Sequence, residues 1–484
     1  MAESKLEHKV AKGVAWSFSE KLLSMVVQMV VSIVVARQLV PADFGVMAIM
    51  TFFTSVALAI VDSGFSQTLI RKTNPTEEEY HSVLIFNIVV SLVLYGILTA
   101  AAYPIASLYD SPEIWTIAPV LFLVLPINSL CVVQTVMYTR EFRFALLSKI
   151  VFLASLISGA VAVVMAVMGC GIWSLVAQRL LMMGIKAIAF WSIRRWRTSA
   201  RFSFAVIKAM APFSLRLLAT DLIASIYNNV AQLFIGKINT STLGYYAQAQ
   251  KLKDLPVTST VQAVQGVTFP ALSKIKEDGA KFAEGYLRIE RLLGFILFPV
   301  MLGFVAIAPD MFMLLLGEKW MPTVPYFEIL ALSGLCYPLA IVSYNVLKTK
   351  SDGKVIVRLE VIKRVIMTAV LCYTIPQSVE AIAWGMLAMA AVEFLLNTGA
   401  AMRYMKTTFG ALLRSIAPSF TIAAIMFGAL HYLTPHIDSL NITLRLTTTI
   451  AAGGALYLLL AWIFRLRALR ECVALLRGML TKSA

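Results

Sequence analysis

Charge is scarce in this chain: Asp, Glu, Lys and Arg make up 14% of its 484 residues, while hydrophobic residues make up 59%. Soluble domains run nearer ~25% charged and ~45–50% apolar, so water cannot be the solvent that most of this surface meets. Disordered-tail and nucleic-acid-binding proteins are excluded with it. Cysteine is sparse as well; Cys131, Cys170, Cys336, Cys372 and Cys472 are dispersed, with no CxxC spacing, which excludes a disulfide scaffold. The histidines (His8, His81, His431 and His436) sit near ends and loops and form no HExxH or other metal set. No Gly-rich loop precedes a Lys-Ser/Thr pair, so ATP hydrolysis is not expected. Long connections are missing too, and the acids on the outward loops (Asp110, Glu113, Asp310, Glu318, Asp438) are scattered. The chain is therefore not expected to be an enzyme, nor to need a metal or cofactor.

What is present is apolar length. A bilayer core of about 30 Å takes about 20 helical residues, and the sequence predicts an all-α, polytopic membrane protein with about fourteen such stretches. They lie near 13–36, 43–69, 80–102, 114–138, 146–168, 171–191 and 209–235. The series continues at 242–268, 286–308, 321–347, 355–375, 380–402, 411–433 and 441–464. The first is not a cleaved signal, being too long and followed by Arg37 and Pro41. Loops after even-numbered helices hold about 19 Lys and Arg, those after odd-numbered helices about three, and short cytoplasmic loops are the ones that retain basic residues. The net charge of +16 thus reads as a topology signal, with both termini in the cytoplasm.

Two turns look alike. Phe44-Gly45-Val46-Met47-Ala48 enters helix two, and Leu243-Gly244-Tyr245-Tyr246-Ala247 enters helix eight, at an offset of about 199 residues, or about six crossings. The expected organisation is an N-terminal lobe over 1–193, a basic connector over 194–208, and a C-terminal lobe over 209–405. Two appended helices follow over 406–466, then a basic cytoplasmic tail over 467–484. The two lobes would be parallel six-helix repeats.

Polar residues recur at helical spacing on four helices. Helix one has Ser17, Lys21, Ser24, Gln28 and Ser32, and helix two has Thr51, Ser55, Asp62 and Ser66. Helix seven has Ser214, Asp221, Ser225, Asn228 and Gln232, and helix eight has Gln250, Lys251, Asp254, Thr258, Gln262 and Gln265. Each set keeps to roughly a third of the circumference. In a membrane helix such a face marks a protein-lined or water-filled path, although Ser, Thr, Asn and Gln also join helices by hydrogen bonds. Helices seven and eight correspond to one and two under the repeat, so a central cavity walled by these four is expected. Lys251, about 14 Å inside its helix, faces water or an acid, and Asp254 one turn away could neutralise it. Arg216 and Lys253 fall off the stripes and either line a lateral opening or pair with a neighbour. Arg358, Glu360, Lys363 and Arg364 read as interface anchors.

Several segments carry a family likeness. They are Ala36-Arg37-Gln38-Leu39-Val40-Pro41-Ala42-Asp43-Phe44-Gly45, Asp62-Ser63-Gly64-Phe65-Ser66-Gln67-Thr68-Leu69-Ile70-Arg71-Lys72, and Tyr227-Asn228-Asn229 with Ile235-Gly236-Lys237. Together with Leu243–Ala249 they resemble the Wzx-type polysaccharide flippases of the multidrug/oligosaccharidyl-lipid/polysaccharide (MOP) exporter superfamily. The resemblance implies a two-lobed transporter of the bacterial inner membrane moving undecaprenyl-pyrophosphate-linked repeat units outward by alternating access, for surface or exopolysaccharide. The cavity-lining candidates are Lys21, Ser24, Gln28, Asp62, Arg216, Asp221, Asn228, Gln250, Lys251, Lys253 and Asp254, with Lys21, Lys251 and Asp254 as principal head-group contacts. Asp62, Asp221 and Glu393 are candidate coupling acids. The expected partners are the lipid-linked oligosaccharide, membrane lipid, and a polysaccharide polymerase or glycosyltransferases, with the chain itself a monomer. The alternatives are a cation-coupled multidrug antiporter of the same superfamily and a structural partner of a polysaccharide synthase.

Overall fold

The computed structural model describes residues 23, 25–62, 64–194, 196, 201–274, 277–351, 353–405 and 407–474. Among them there is helix and no strand. Contacts divide the chain into two compact units, Met1–Ala247 and Gln248–Ala484. The first contains α1 (Met25–Gln38), α2 (Pro41–Asp62), α3 (Phe65–Arg71), α4 (Glu77–Ala100) and α5 (Ala102–Leu108). It continues with α6 (Glu113–Leu121), α7 (Val124–Arg140), α8 (Phe144–Val167), α9 (Trp173–Ile193) and α10 (Phe204–Ile238). The boundary falls inside α11 (Thr240–Lys274). The second unit goes on with α12 (Gly279–Leu315), α13 (Val324–Ser333), α14 (Tyr337–Lys350), α15 (Lys354–Thr374), α16 (Val379–Met402), α17 (Phe409–Leu433) and α18 (Ile442–Ile463). The repeat lobes expected over 1–193 and 209–405 partition the chain differently from these contact units, and they stand as a proposal about internal symmetry.

Every predicted stretch coincides with helix where it is described, and 11 helical segments are long and apolar enough to cross a membrane. The other three correspond to α1, of which the described residues Met25–Gln38 fall short of a span, and to α11 and α15, which carry too many polar groups to pass on hydropathy. Those two helices hold Lys251, Lys253 and Asp254, and Arg358, Glu360 and Lys363.

Predicted helices two, four and ten are interrupted. Helix two breaks at Gly64, whose φ of 68° is left-handed, a conformation glycine takes without a Cβ penalty. Helix four divides at Phe122–Leu123, with Pro126 in the first turn of α7, where a missing N–H costs no intrahelical bond. Helix ten begins as a 3-10 turn over Glu318–Thr323 and divides again before α14.

In the first unit, α10 packs against α2, α3 and α4. Phe65, Leu69, Val83, Val133, Val136, Ile207 and Met210 form a common apolar cluster there. The two look-alike turns meet in this unit. A Cβ added to Gly45 would lie 1.8 Å from the Thr240 carbonyl oxygen, and one added to Gly244 would lie 1.9 Å from that of Pro41. Each would also stand 3.2 Å from the other glycine's backbone nitrogen. The starts of α2 and α11 thus touch backbone to backbone, in a nearly reciprocal arrangement.

Arg140, the last residue of α7, closes the end of α3. Its guanidinium donates to the carbonyls of Leu69 (2.9 Å), Ile70 (3.0 Å), Lys72 and Thr73 (2.7 Å). A helix C-terminus leaves such carbonyls without partners, and a fixed cation there also meets the negative end of the helix dipole. Arg140→Ala is expected to cost about 3 kcal/mol, read as a lower melting temperature of the purified protein in detergent; an unchanged melting temperature would reduce this clamp to a surface contact.

Candidate functional site

In the first unit the polar residues gather around the break at Gly64. Asp62 ends α2, and Ser66 in the first turn of α3 donates to its Oδ1. Thr68 Oγ1 meets Ser214 Oγ of α10 at 2.8 Å. A Cβ on Gly64 would fall 2.6 Å from the Ser214 carbonyl oxygen, so only glycine lets α10 approach the break this closely. Asp221, two turns further along α10, lies within electrostatic range of Asp62. Two of the candidate coupling acids therefore stand near each other, although they are 159 positions apart in the chain. Two carboxylates held close inside a membrane protein make a place where a cation is favoured. Interrupted membrane helices are also where transporters build binding sites.

Other first-unit candidates divide. Asp221, Asn228 and Arg216 are exposed on α10. Gln28 Nε2 donates to Ser155 Oγ of α8 at 3.4 Å, so at this residue the stripe on α1 also joins helices. Lys21 and Ser24 lie outside the described residues.

In the second unit, Gln250, Lys251, Lys253 and Asp254 follow one another on α11. Lys251 is exposed. Asp254 Oδ1 pairs with Lys253 Nζ at 2.7 Å, not with Lys251. Of the two options open for Lys253, a neighbouring acid is the one realised. Adjacent helical positions diverge by about 100°, so the pairing depends on a long Lys side chain folding back.

The charges on α15 are not interface anchors as a group. The side chain of Lys363 is 8% exposed, and its ammonium lies 2.5 Å from Glu360 Oε1 on its own helix and 3.2 Å from Glu393 Oε1 on α16. Arg364 reaches the second Glu360 oxygen at 3.5 Å. The Lys363 ammonium also stands 5.5 Å from the Tyr344 ring centroid, within cation–π range. Glu393 is thus engaged by a buried lysine. Only Arg358, which is exposed, keeps the anchor reading. The available signal was the i, i+3 spacing of Glu360 and Lys363 within the first turns of the predicted span 355–375, where a charge that does not reach the interface needs a partner. Lys363→Met is expected to destabilise by about 3 kcal/mol, because it strands Glu393 and leaves Glu360 only the longer contact to Arg364. Adding Glu360→Gln and Glu393→Gln should restore most of the melting temperature; a triple variant no better than the single one would show that charge pairing is not what holds the cluster.

Comparison with known proteins gives this arrangement its setting. The family described as "Polysaccharide biosynthesis protein" matches residues 34–325. The chain belongs to this family. Teichuronic acid biosynthesis protein TuaB of Bacillus subtilis is 25% identical over 463 residues, covering 93% of this chain and 95% of the relative. Succinoglycan biosynthesis transport protein ExoT of Rhizobium meliloti is 24% identical, covering 98% and 97%. Lipopolysaccharide biosynthesis protein WzxC of Escherichia coli is 22% identical, covering 68% of each chain. Among solved structures, lipid II flippase MurJ in an inward closed conformation superposes with a TM-score of 0.72 at 16% identity, over 94% of this chain and 99% of that one. An inward-facing MATE multidrug transporter of the MOP superfamily gives 0.58 at 15% identity, over 84% and 95%. This polysaccharide biosynthesis protein is therefore a multi-pass membrane protein with the MOP transporter fold.

Proposed function

We propose that the chain is a flippase that carries undecaprenyl-pyrophosphate-linked oligosaccharide outward across the bacterial inner membrane by alternating access, with both termini in the cytoplasm. The observation that carries the reading is the exposure of Asp221 and Asn228 on α10 and of Lys251 on α11, well inside long helices. Hydrocarbon does not tolerate such groups, so these faces turn to water. A pyrophosphate-sugar head is anionic and rich in hydroxyls; amides and hydroxyls replace its lost hydration, and lysines meet its charge. The match to a polysaccharide-biosynthesis family supports the same class of cargo. Lys21 and Lys251 are the proposed head-group cations, and the Asp62–Asp221 pair is the proposed coupling centre. The two-lobe repeat supplies the moving parts, and glycosyltransferases and a polymerase stand before and after the step.

The test is reconstitution. Purified chain in liposomes is expected to move a fluorescent polyprenyl-pyrophosphate oligosaccharide between leaflets, faster when an ion gradient is imposed. Protein that is folded yet leaves the probe in its original leaflet would remove the flippase reading and leave a structural partnership with a synthase. Transport of cationic drugs with no movement of the lipid-linked sugar would select the antiporter instead.

A further inference from the structure

One acid in the second unit takes no part in the arrangement above. Glu290 lies on α12, which packs against α13, α14, α17 and α18. Its side chain is 0% exposed. Among the described residues neither carboxyl oxygen has a hydrogen-bond partner; Tyr286 and Ser343 are its polar neighbours without meeting hydrogen-bond geometry. Tyr286 sits one turn before it on the same helical face. From there hydroxyls run in a row: Tyr286 OH to Ser343 Oγ of α14 at 2.9 Å, and Ser343 Oγ to Thr398 Oγ1 of α16 at 2.9 Å. Tyr286, Ser343 and Thr398 are each 0% exposed.

Sealing a lone carboxylate charge among packed side chains costs several kcal/mol, so whatever occupies this place brings a positive charge. The charged side chains on the surrounding helices face elsewhere. Arg288 and Arg291 go to Glu471, with Arg291 also meeting Ser415. On α14, Lys348 lies over the Tyr344 ring and Lys350 over the Phe282 ring. Glu393 is taken by Lys363, and Arg445 by Asp310 and Asp438. Glu328 on α13 is within range of His431 on α17, and Arg414 of α17 is exposed. Tyr286 is the titratable group beside the acid. Both contacts in the hydroxyl row can run in either direction. A hydroxyl row that can reverse its donors accommodates the neighbouring acid with or without its proton, whereas a metal ion would need those oxygens turned toward itself.

We propose that Glu290 is a proton-binding site in the core of the second unit, with the Tyr286–Ser343–Thr398 hydroxyl row beside it re-orienting as the acid gains or loses its proton. The O–H bond formed on the carboxylate takes its proton from water, and the proton returns to water when the acid ionises.

Infrared spectroscopy of the purified full chain in lipid nanodiscs tests this without any transport assay. At neutral pH the protein is expected to show a carbonyl band of a protonated carboxylic acid that shifts in D2O and is absent from Glu290→Gln. That variant, a neutral isostere, is expected to keep the wild-type melting temperature. Ser343→Ala should retain the band and shift it, because the Tyr286 hydroxyl beside the acid loses the partner it meets at 2.9 Å. Superimposable spectra of wild type and Glu290→Gln would overturn the proposal. So would a melting temperature that sodium raises at fixed pH in wild type and not in Glu290→Gln. Should Glu290→Gln fail to fold, Tyr286→Phe decides: a shifted acid band supports the site, and an unmoved one overturns it.

Discussion

Gly45→Ala and Gly244→Ala are each expected to leave little folded protein in the membrane. The atoms that a new Cβ would meet, 1.8 Å away at Gly45 and 1.9 Å away at Gly244, are carbonyl oxygens of the opposing backbone. A flexible side chain can swing aside, but backbone at the start of a membrane helix moves only with the helix. Overpacking in a well-packed core costs about 1–3 kcal/mol, and a clash of this depth belongs at or above the top of that range. The check is the monodisperse fraction in size-exclusion chromatography of a fluorescent-protein fusion, with Gly96→Ala as control, because nothing lies within 4 Å of a Cβ there. Equal recovery of all three variants would show that α2 and α11 do not meet backbone to backbone. Since the two glycines occupy equivalent places in the look-alike turns, the result also bears on the repeat: a symmetric contact predicts similar losses at both.

Lys251→Ala is expected to abolish surface polysaccharide in a strain that depends on this chain, while the protein stays in the membrane at wild-type level. The contrast with its neighbour sharpens the result. Lys253 is held by Asp254, so Lys253→Ala should act through local stability, whereas Lys251 is exposed and is free to meet an anionic head. Losing one charge-assisted contact of about 1.5–3 kcal/mol lowers affinity by about 10–100-fold. Lys251→Arg keeps the charge and should recover part of the export. Full export by a well-expressed Lys251→Ala protein would take that residue out of the head-group site and leave the case to Asp62 and Asp221. Asp62→Asn tests those separately: it should weaken the dependence of transport on an ion gradient without lowering the amount of protein.

Read along the chain, the apolar runs placed the long helices that the structure describes, though not α5 or the helix over 467–474, because the cost of putting a residue in hydrocarbon adds up locally and needs no knowledge of neighbours. Glycine and proline gave warning of breaks, at Gly64 and near Pro126, though not their sharpness. The family likeness was legible for a related reason: Phe44-Gly45 and Leu243-Gly244 are read from a few contiguous residues whose backbone demands are local.

The partners of the charges were a different matter. Asp254 was equally open to Lys251, Lys363 read as an anchor, and Glu290 drew no notice near the start of a predicted span. Which of these is paired, exposed or sealed depends on how each helix is rotated about its own axis and on what the facing helix presents. Residues such as Lys363 and Glu393, or Asp62 and Asp221, are brought near by packing across long separations in the chain, and no period in the sequence encodes that. The sequence by itself determined a helical membrane protein of a polysaccharide biosynthesis family and named most of its polar candidates; the tertiary structure alone decided which charges neutralise one another and which are left to act. Desolvation is a property of each residue, whereas neutralisation is a property of pairs.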